Sequence, residues 1–247
     1  MAYIGKQPAV AALTASDITD GIVSTAKIAD TAITNAKLNA DIISGDTALG
    51  ATPADTDELL VSDAGVLKRM DYSYIKGNPS LLYSAASTTD VGSLDVSSTY
   101  ITSTHRWYKI YLSGKMANDG VSLIARYMID GSAVTDNYAM KTSGFGIYDH
   151  EDNSTGQNTI DLTNQVTIGN AANEPFSAVL DFFNPTSTTL TSILHWSVAY
   201  ASTGDVFYGD FGVARRNDGT QAHNGITFYP SGGDFNEYAI AVYGFKV

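Results

Sequence analysis

The stretch Leu190-Thr-Ser-Ile-Leu-His-Trp-Ser-Val-Ala-Tyr200 decides the fold, because its bulky apolar side chains recur at every second position. In an extended strand, residues two apart share a face. One face carries Leu194, Trp196, Val198 and Tyr200. The other face carries Ile193, His195, Ser197 and Ala199. This pattern predicts an antiparallel strand that packs its bulky face on a core and leaves the opposite face toward solvent or a partner.

Eight further segments alternate in a similar way and end at turn residues such as Ser113-Gly114 and Asp130-Gly131. Strands in a series with tight turns are typical of a two-sheet protein. We therefore predict a mainly β fold with a C-terminal antiparallel β-sandwich, and we favour a jelly roll. The nine predicted strands are Trp107–Leu112, Val121–Ile129, Tyr138–Tyr148, Thr159–Ile168, Phe176–Phe183, Leu190–Tyr200, Val206–Ala214, Gly225–Tyr229 and Tyr238–Val247.

The bulky aromatic residues are confined to one part of the 247-residue chain. All nine Phe, both Trp and twelve of the 15 Tyr lie from Tyr83 onward. A core needs such side chains, so we predict a sandwich head at residues 83–247. We predict that it is preceded by an extended N-terminal attachment and repeat thread at 1–43, which forms an oligomeric shaft, and by a connector at 44–82. The connector segments Glu58–Asp63 and Val66–Asp71, separated by Ala64-Gly65, predict a β-hairpin.

The charge and composition exclude several classes of protein. Acidic residues outnumber basic ones 26 to 14, which argues against nucleic-acid binding because that binding depends on phosphate neutralisation. No apolar run approaches the roughly 18 residues of a membrane span, so we expect no membrane insertion. The N-terminus has no long apolar segment, so we expect no Sec export. The chain has no Cys, which excludes disulfides and thiolate chemistry.

A repeat of about ten residues runs through the N-terminal segment. Its units are Leu13–Asp20, Val23–Asp30 and Ile33–Ala40, and each combines a branched residue, a Ser or Thr, and a later Ile or Leu. Ten ordered residues cost roughly 10–20 kcal/mol of backbone entropy, far more than two buried apolar side chains return. We therefore expect partner chains to bury the recurring residues, the alternative being a disordered linker. These residues are Leu13, Ile18, Val23, Ile28, Ile33 and Leu38.

Several stretches of the chain resemble one class of proteins. They are the start Met1–Gly5, Ala-Lys-Ile-Ala-Asp at 26–30, Asn-Ala-Lys-Leu-Asn-Ala-Asp at 35–41, the segment Ala48–Asp71, and more loosely Gly225–Phe235 with Val242–Gly244. These stretches resemble segments of tail-fibre or virion fibre proteins of bacteriophages, especially cyanophages and other marine phages. Residues 83–224 carry no such resemblance, and only their pattern assigns them.

The resemblance implies a structural virion protein assembled in the host cytoplasm. It implies a homotrimer, attached through its N-terminus to other tail or capsid proteins, with a distal β-rich head that binds a glycan or protein of the host surface. A second hypothesis is a structural adaptor or a capsid or tail decoration protein that binds no receptor. A third is a polysaccharide depolymerase, although we expect the protein not to be an enzyme.

An acidic run is the best metal candidate in the head. Asp149, Glu151 and Asp152 could supply oxygen ligands to Ca²⁺, or two of them could form a glycosidase pair. The spacing does not match an EF-hand, and a solvated loop between two strands is the simpler interpretation, so no cofactor is required. The four His residues lack the spacing of a zinc site.

Ligand-binding candidates in the head are aromatic or basic. Aromatic rings can stack on sugar rings, and the planar guanidinium of Arg binds carboxylates. Arg215-Arg216 is the one paired basic site in the head, with a simple hairpin tip as the alternative interpretation. The predicted ligand-binding residues are Trp107, Tyr148, Tyr208, Arg215, Arg216 and Tyr229.

Overall fold

The structure is a computed structural model that describes residues 18, 21, 23–29, 32, 33, 37, 47–51, 53–75, 79–145, 150–163, 166–217 and 219–246. The side chains of residues 25, 67, 145 and 150–153 are not described. Contacts divide the chain into two compact units, Met1–Ser73 and Tyr74–Val247. The second unit begins earlier than residue 83, because the strand Ser80–Ser87 pairs with the C-terminal strand.

The first unit contains the predicted β-hairpin. Strand β1 (Glu58–Asp63) pairs with β2 (Val66–Asp71), and Asp63 lies opposite Val66. Ala64 and Gly65 have φ angles of 50° and 85°, as a two-residue turn of type I′ requires at both central positions. A short 3-10 turn spans Thr25–Lys27, within the repeat unit Val23–Asp30.

The second unit is mainly antiparallel β-structure, as predicted, and its strands form two sheets. Labels follow chain order. The larger sheet contains, in spatial order, β3 (Ser80–Ser87), β15 (Phe235–Phe245), β5 (Trp107–Met116), β11 (Phe176–Phe183), β12 (Ile193–Ser202), β13 (Val206–Arg216), β8 (Tyr138–Phe145) and β9 (His150–Gln157). The smaller sheet contains β10 (Ile160–Asp161), β6 (Leu123–Ile129), β14 (Gly225–Pro230) and β4 (Leu94–Val96), with β7 (Ser132–Ala133) paired to β6.

Most predicted strands occur, but some predictions were wrong. The strand predicted over Thr159–Ile168 ends after Asp161, where the Asp161 carboxylate accepts a hydrogen bond from the Thr163 amide at 3.0 Å and starts a turn. The acidic run at 149–152 is not simply a loop, because His150–Gln157 is an edge strand paired with β8. The strands β3 and β4 were not predicted.

The inner faces of the two sheets share one hydrophobic core. Along β12, the four residues predicted for one face, Leu194 to Tyr200 at every second position, are all buried. Burying a side chain of this size stabilises a fold by about 1.5–3 kcal/mol. From the smaller sheet, the core includes Leu123, Tyr127, Ile226 and Phe228.

Buried tyrosines bond the backbone through their hydroxyl groups. Tyr127 donates to the carbonyl of Ala214 at 3.1 Å and so joins the two sheets. The Tyr138 hydroxyl accepts from the Tyr127 amide at 2.8 Å and donates to the Val134 carbonyl at 3.0 Å. Burial raises the pKa of both tyrosines. Tyr therefore serves in this domain as a core residue whose polar end remains hydrogen-bonded.

Gly212 provides space for the side chain of Trp196 in the core. It lies opposite Trp196, and a Cβ atom at position 212 would lie 2.3 Å from Cζ2 of the indole. The Trp196 Nε1 group also donates to the Leu162 carbonyl at 3.1 Å, which fixes the ring in place.

We expect Gly212→Ala to lower the free energy of unfolding by about 1–3 kcal/mol, because the added methyl group overlaps a ring that cannot move freely. Urea unfolding of the single variants and of the double variant Trp196→Phe/Gly212→Ala measures the coupling. The smaller Phe ring relieves the overlap, so the two losses should sum to more than the loss in the double variant. Strict additivity would contradict this packing.

Glu174 holds two turns together through backbone hydrogen bonds. Its carboxylate accepts from the amide of Ala171 at 2.8 Å and from the amides of Gly204 and Asp205 at 3.2 Å. The Ala171 amide is the main cause of a pKa below the ordinary value of 4.5, and partial desolvation opposes it. The ionised form is therefore favoured in the folded state.

A folded-state pKa below the unfolded value means that the ionised Glu174 stabilises the domain above about pH 4.5 and that this contribution is lost as pH falls through the folded pKa. Glu174→Gln should lower the urea midpoint at pH 7 and have a smaller effect at pH 3. Glu237→Gln, at an exposed position, is the matched control. An equal loss at both pH values would show that charge is not involved.

Candidate recognition surface

The outer face of the larger sheet in the second unit exposes both aromatic and basic side chains. Because the strands pair in register, residues of successive strands form rows across this face. One row is Phe245, Trp107, Phe183, Ile193, Arg215 and Ala139. The next row is Leu81, Tyr243, Lys109, Asp181, His195, Val213 and Lys141.

A stack of aromatic rings lies at one end of this face. Trp107 lies between Phe245 and Phe183, with ring centroids 3.9 and 5.6 Å away and planes within 15° and 14° of parallel. His195 contacts the same Phe183 ring edge-on at 5.3 Å. Trp107 was predicted to bind a ligand, and the two Phe rings already occupy positions beside its indole.

One ion pair fixes the side chains next to this stack. Asp181 accepts from Nε1 of Trp107 at 2.9 Å, and Nζ of Lys109 lies 2.9 Å from the same carboxylate. The Lys109 ammonium also lies 5.8 Å from the centroid of the Trp107 ring. These contacts hold the indole by its edge as well as its faces, so Trp107 is a rigid part of the surface.

What we call the cationic patch consists of Val213 and the four residues around it, Lys141, His195, Phe211 and Arg215. All five are exposed, Phe211 at 44% of its full accessible area. Val213 lies opposite both His195 and Lys141, and Phe211 and Arg215 are two residues away along β13. Lys141 and Arg215 form no ion pair with any residue that the structure describes.

Two shallow depressions flank Val213. The larger has a volume of about 430 Å³ and is lined by residues that include Lys141, Ser143, His195 and Phe211. The smaller, of about 220 Å³, lies between Lys141 and Arg215. Ligand sites commonly enclose about 300–1,000 Å³, so the larger depression can take one or two sugar-sized groups.

Charge is distributed unevenly between this face and the rest of the domain. Residues 83–247 contain 16 acidic and 8 basic residues. The register and the alternation of side chains place four of the bases on the outer face, Lys109, Lys115, Lys141 and Arg215, and two of the acids, Asp181 and Glu237. Glu151 lies opposite Ser143 on the edge strand, and its side chain is outside the described set. The described outer face thus carries a charge of +2 within a domain of −8.

The other predicted ligand-binding residues lie apart from this patch. Arg216, one residue after Arg215, points to the inner side, where it is buried and pairs with Asp136 at 2.7 Å. Tyr208 is partly buried and stacks on Tyr200 with a centroid distance of 5.7 Å. Tyr229 lies on the smaller sheet beneath the guanidinium of Arg126, 5.1 Å from its ring centroid. Tyr148 is outside the described residues.

Of the five residues in the cationic patch, only Arg215 was predicted from the sequence. Of the predicted set, the structure brings only Trp107 and Arg215 to one face, in the same row and three strands apart. Phe211 and Val213 could have been found from their alternation along β13. Lys141 could not, because its position depends on the pairing of β8 with β13.

The described residues assemble no metal centre, and a Ser–His contact among them is buried. They contain no cluster of three His, Cys, Asp or Glu side chains. The predicted Ca²⁺ ligands are not tested, because Asp149 and the side chains of Glu151 and Asp152 lie outside the description. Ser192 Oγ lies 2.8 Å from Nδ1 of His223, but these residues are 1% and 2% exposed, so a substrate cannot reach them.

The repeat residues in the described part of the first unit are exposed in the single chain. They are Ile18, Val23, Ile28 and Ile33, whereas Leu13 and Leu38 lie outside the described residues.

Within the described residues, no helix reaches the length and hydropathy of a membrane crossing. Comparison of the chain with protein-family models, curated proteins and solved structures gave no match.

Proposed function

We propose that this protein is a structural, non-enzymatic virion fibre protein of a phage, whose C-terminal head binds the host surface. The observation that carries the binding role is the outer face of the larger sheet, which exposes aromatic and basic groups on a rigid framework in an otherwise acidic domain. Exposed aromatic and apolar patches commonly mark interaction sites or ligand-binding grooves. The phage assignment depends on the sequence resemblance of residues 1–82.

The rigidity of this face supports a binding role. Trp107, Phe183 and Phe245 are stacked, and Asp181 fixes the indole and Lys109, so the surface next to the cationic patch is ordered before a ligand arrives. A preorganised surface loses less side-chain entropy on binding. The ligand in this proposal is a host-surface glycan or protein.

We also propose that the head is a sandwich of jelly-roll type. The chain crosses repeatedly between the two sheets: β4, β6, β10 and β14 belong to the smaller sheet, and β5, β8, β11 and β15 to the larger one. Repeated crossing is a property of Greek-key and jelly-roll sandwiches. The single core shared by both inner faces also supports this assignment.

The N-terminal repeat supports assembly into a homotrimer and attachment to other virion proteins in the tail or capsid. Isolated repeat units bury too little apolar surface to order themselves, and the described repeat residues are exposed in one chain. Partner chains would cover them. The particle is assembled in the host cytoplasm in this proposal.

The labelled 247-residue chain should bind to marine cyanobacteria or other marine bacteria in a whole-cell assay, and to one class of glycan on an array. Phe211→Ala should reduce cell binding several-fold, because it removes an exposed ring from the recognition surface. Leu190→Ala is the control, since Leu190 is 45% exposed and lies in the loop before β12, outside the paired strands of the outer face.

Sedimentation equilibrium on the same preparation checks assembly, with three times the chain mass of 26.2 kDa expected. Folded, trimeric protein that binds neither cells nor glycans would contradict the receptor role. That outcome would favour the alternative of a structural adaptor or a capsid or tail decoration protein, whose exposed aromatic face packs against another virion component.

A further inference from the structure

We infer that the cationic patch is a site for an anionic polysaccharide. This inference depends on the proposed role in surface binding and names the ligand class: a sugar polymer that carries carboxylate or sulfate groups. Its basis is Lys141 and Arg215 beside Phe211, two basic residues that form no ion pair with a described acid, on a described face that is positive within a negative domain.

The two basic groups are spaced to hold neighbouring charges. Arg215 of β13 lies opposite Ala139 of β8. Lys141 is two residues after Ala139 on β8, so Arg215 and Lys141 are diagonal neighbours. Diagonal positions of this kind lie about 7–8 Å apart. Neither is paired with an acid that the structure describes, whereas Lys109 on the same face is neutralised by Asp181. An anionic ligand would place its charge next to both basic groups.

The groups around the two cations suit a sugar ring. Phe211 offers an exposed aromatic ring, and His195 and Ser143 offer polar groups at the rim of the 430 Å³ depression. Stacking of the apolar face of a sugar on Phe211 would leave its carboxylate or sulfate within reach of the neighbouring bases. The planar guanidinium of Arg215 can bind a carboxylate through two parallel hydrogen bonds.

Charge favours a polysaccharide over a second copy of this chain. If two copies met through the same patch, Lys141 and Arg215 would lie against like charges, which is unfavourable. The patch is also not flat, because an open, shallow depression lies on either side of Val213. An extended polymer chain can lie across both depressions, over β8, β13 and β12.

Binding of the 247-residue chain to two matched polymer pairs tests the inference. One pair is polygalacturonate and its methyl ester, which differ only in the carboxylate charge. The other is dextran sulfate and dextran. We expect at least one charged member to bind and its neutral partner not to bind, with affinity falling as NaCl rises from about 50 to about 300 mM. The two pairs distinguish carboxylate from sulfate recognition.

The double variant Lys141→Ala/Arg215→Ala should weaken binding about five- to tenfold, as expected for two exposed charge contacts. Lys115→Ala/Arg126→Ala changes the net charge equally but lies outside the patch, so it should bind as the unmodified protein does. Equal effects of the two double variants would show that overall charge, and not this patch, attracts the polymer.

Equal binding of charged and neutral polymers, or of neither, would overturn the inference. So would self-association that the patch double variant abolishes, because the patch would then be an interface between copies. The proposed function and the inference can fail independently. Cell binding through a neutral glycan supports the function and contradicts the inference. Binding to charged polymer with no binding to cells supports the inference without the function.

Discussion

The alternation of side chains along β12 is the constraint on which the rest of the domain depends. Leu194, Trp196, Val198 and Tyr200 all lie in the core that the larger sheet shares with the smaller one. A strand has two faces, so the burial of these residues forces His195 and Ser197 outward. The register of the neighbouring strands then places Val213, Lys141 and Phe211 around them. The core thus determines which residues form the outer surface.

Local patterns were sufficient to predict individual strands and turns. The strand Phe176–Phe183 and the hairpin at residues 58–71 were predicted at the observed positions, because alternation and a Gly-containing turn are properties of short segments. The strand Ser80–Ser87 was missed, since its small residues Ser and Ala give little contrast between faces. The false extension of β10 shows a second limit: Asp161 ends the strand through a hydrogen bond to Thr163 that apolar periodicity does not reveal.

The recognition surface could be predicted only in part, because it depends on sheet order. Trp107 was predicted as a ligand-binding residue from its type alone, whereas its interactions with Phe183, Phe245 and Asp181 join three separate strands. The pair Arg215-Arg216 illustrates the same point. Adjacent residues of a strand point to opposite sides, so one arginine is exposed on the patch and the other is buried against Asp136. A tight pair in the sequence becomes two unrelated sites in the fold.

The chain has no cysteine, which permits one direct measurement of whether the outer face is the recognition surface. Ser197→Cys places a single thiol opposite Phe211, and Ser132→Cys places one on the exposed strand β7 of the smaller sheet. Maleimide labelling of each variant is compared in protein free in solution and protein bound to cells. We predict that binding slows labelling at position 197 and leaves position 132 unchanged. Protection at 132 with unchanged labelling at 197 would contradict the account.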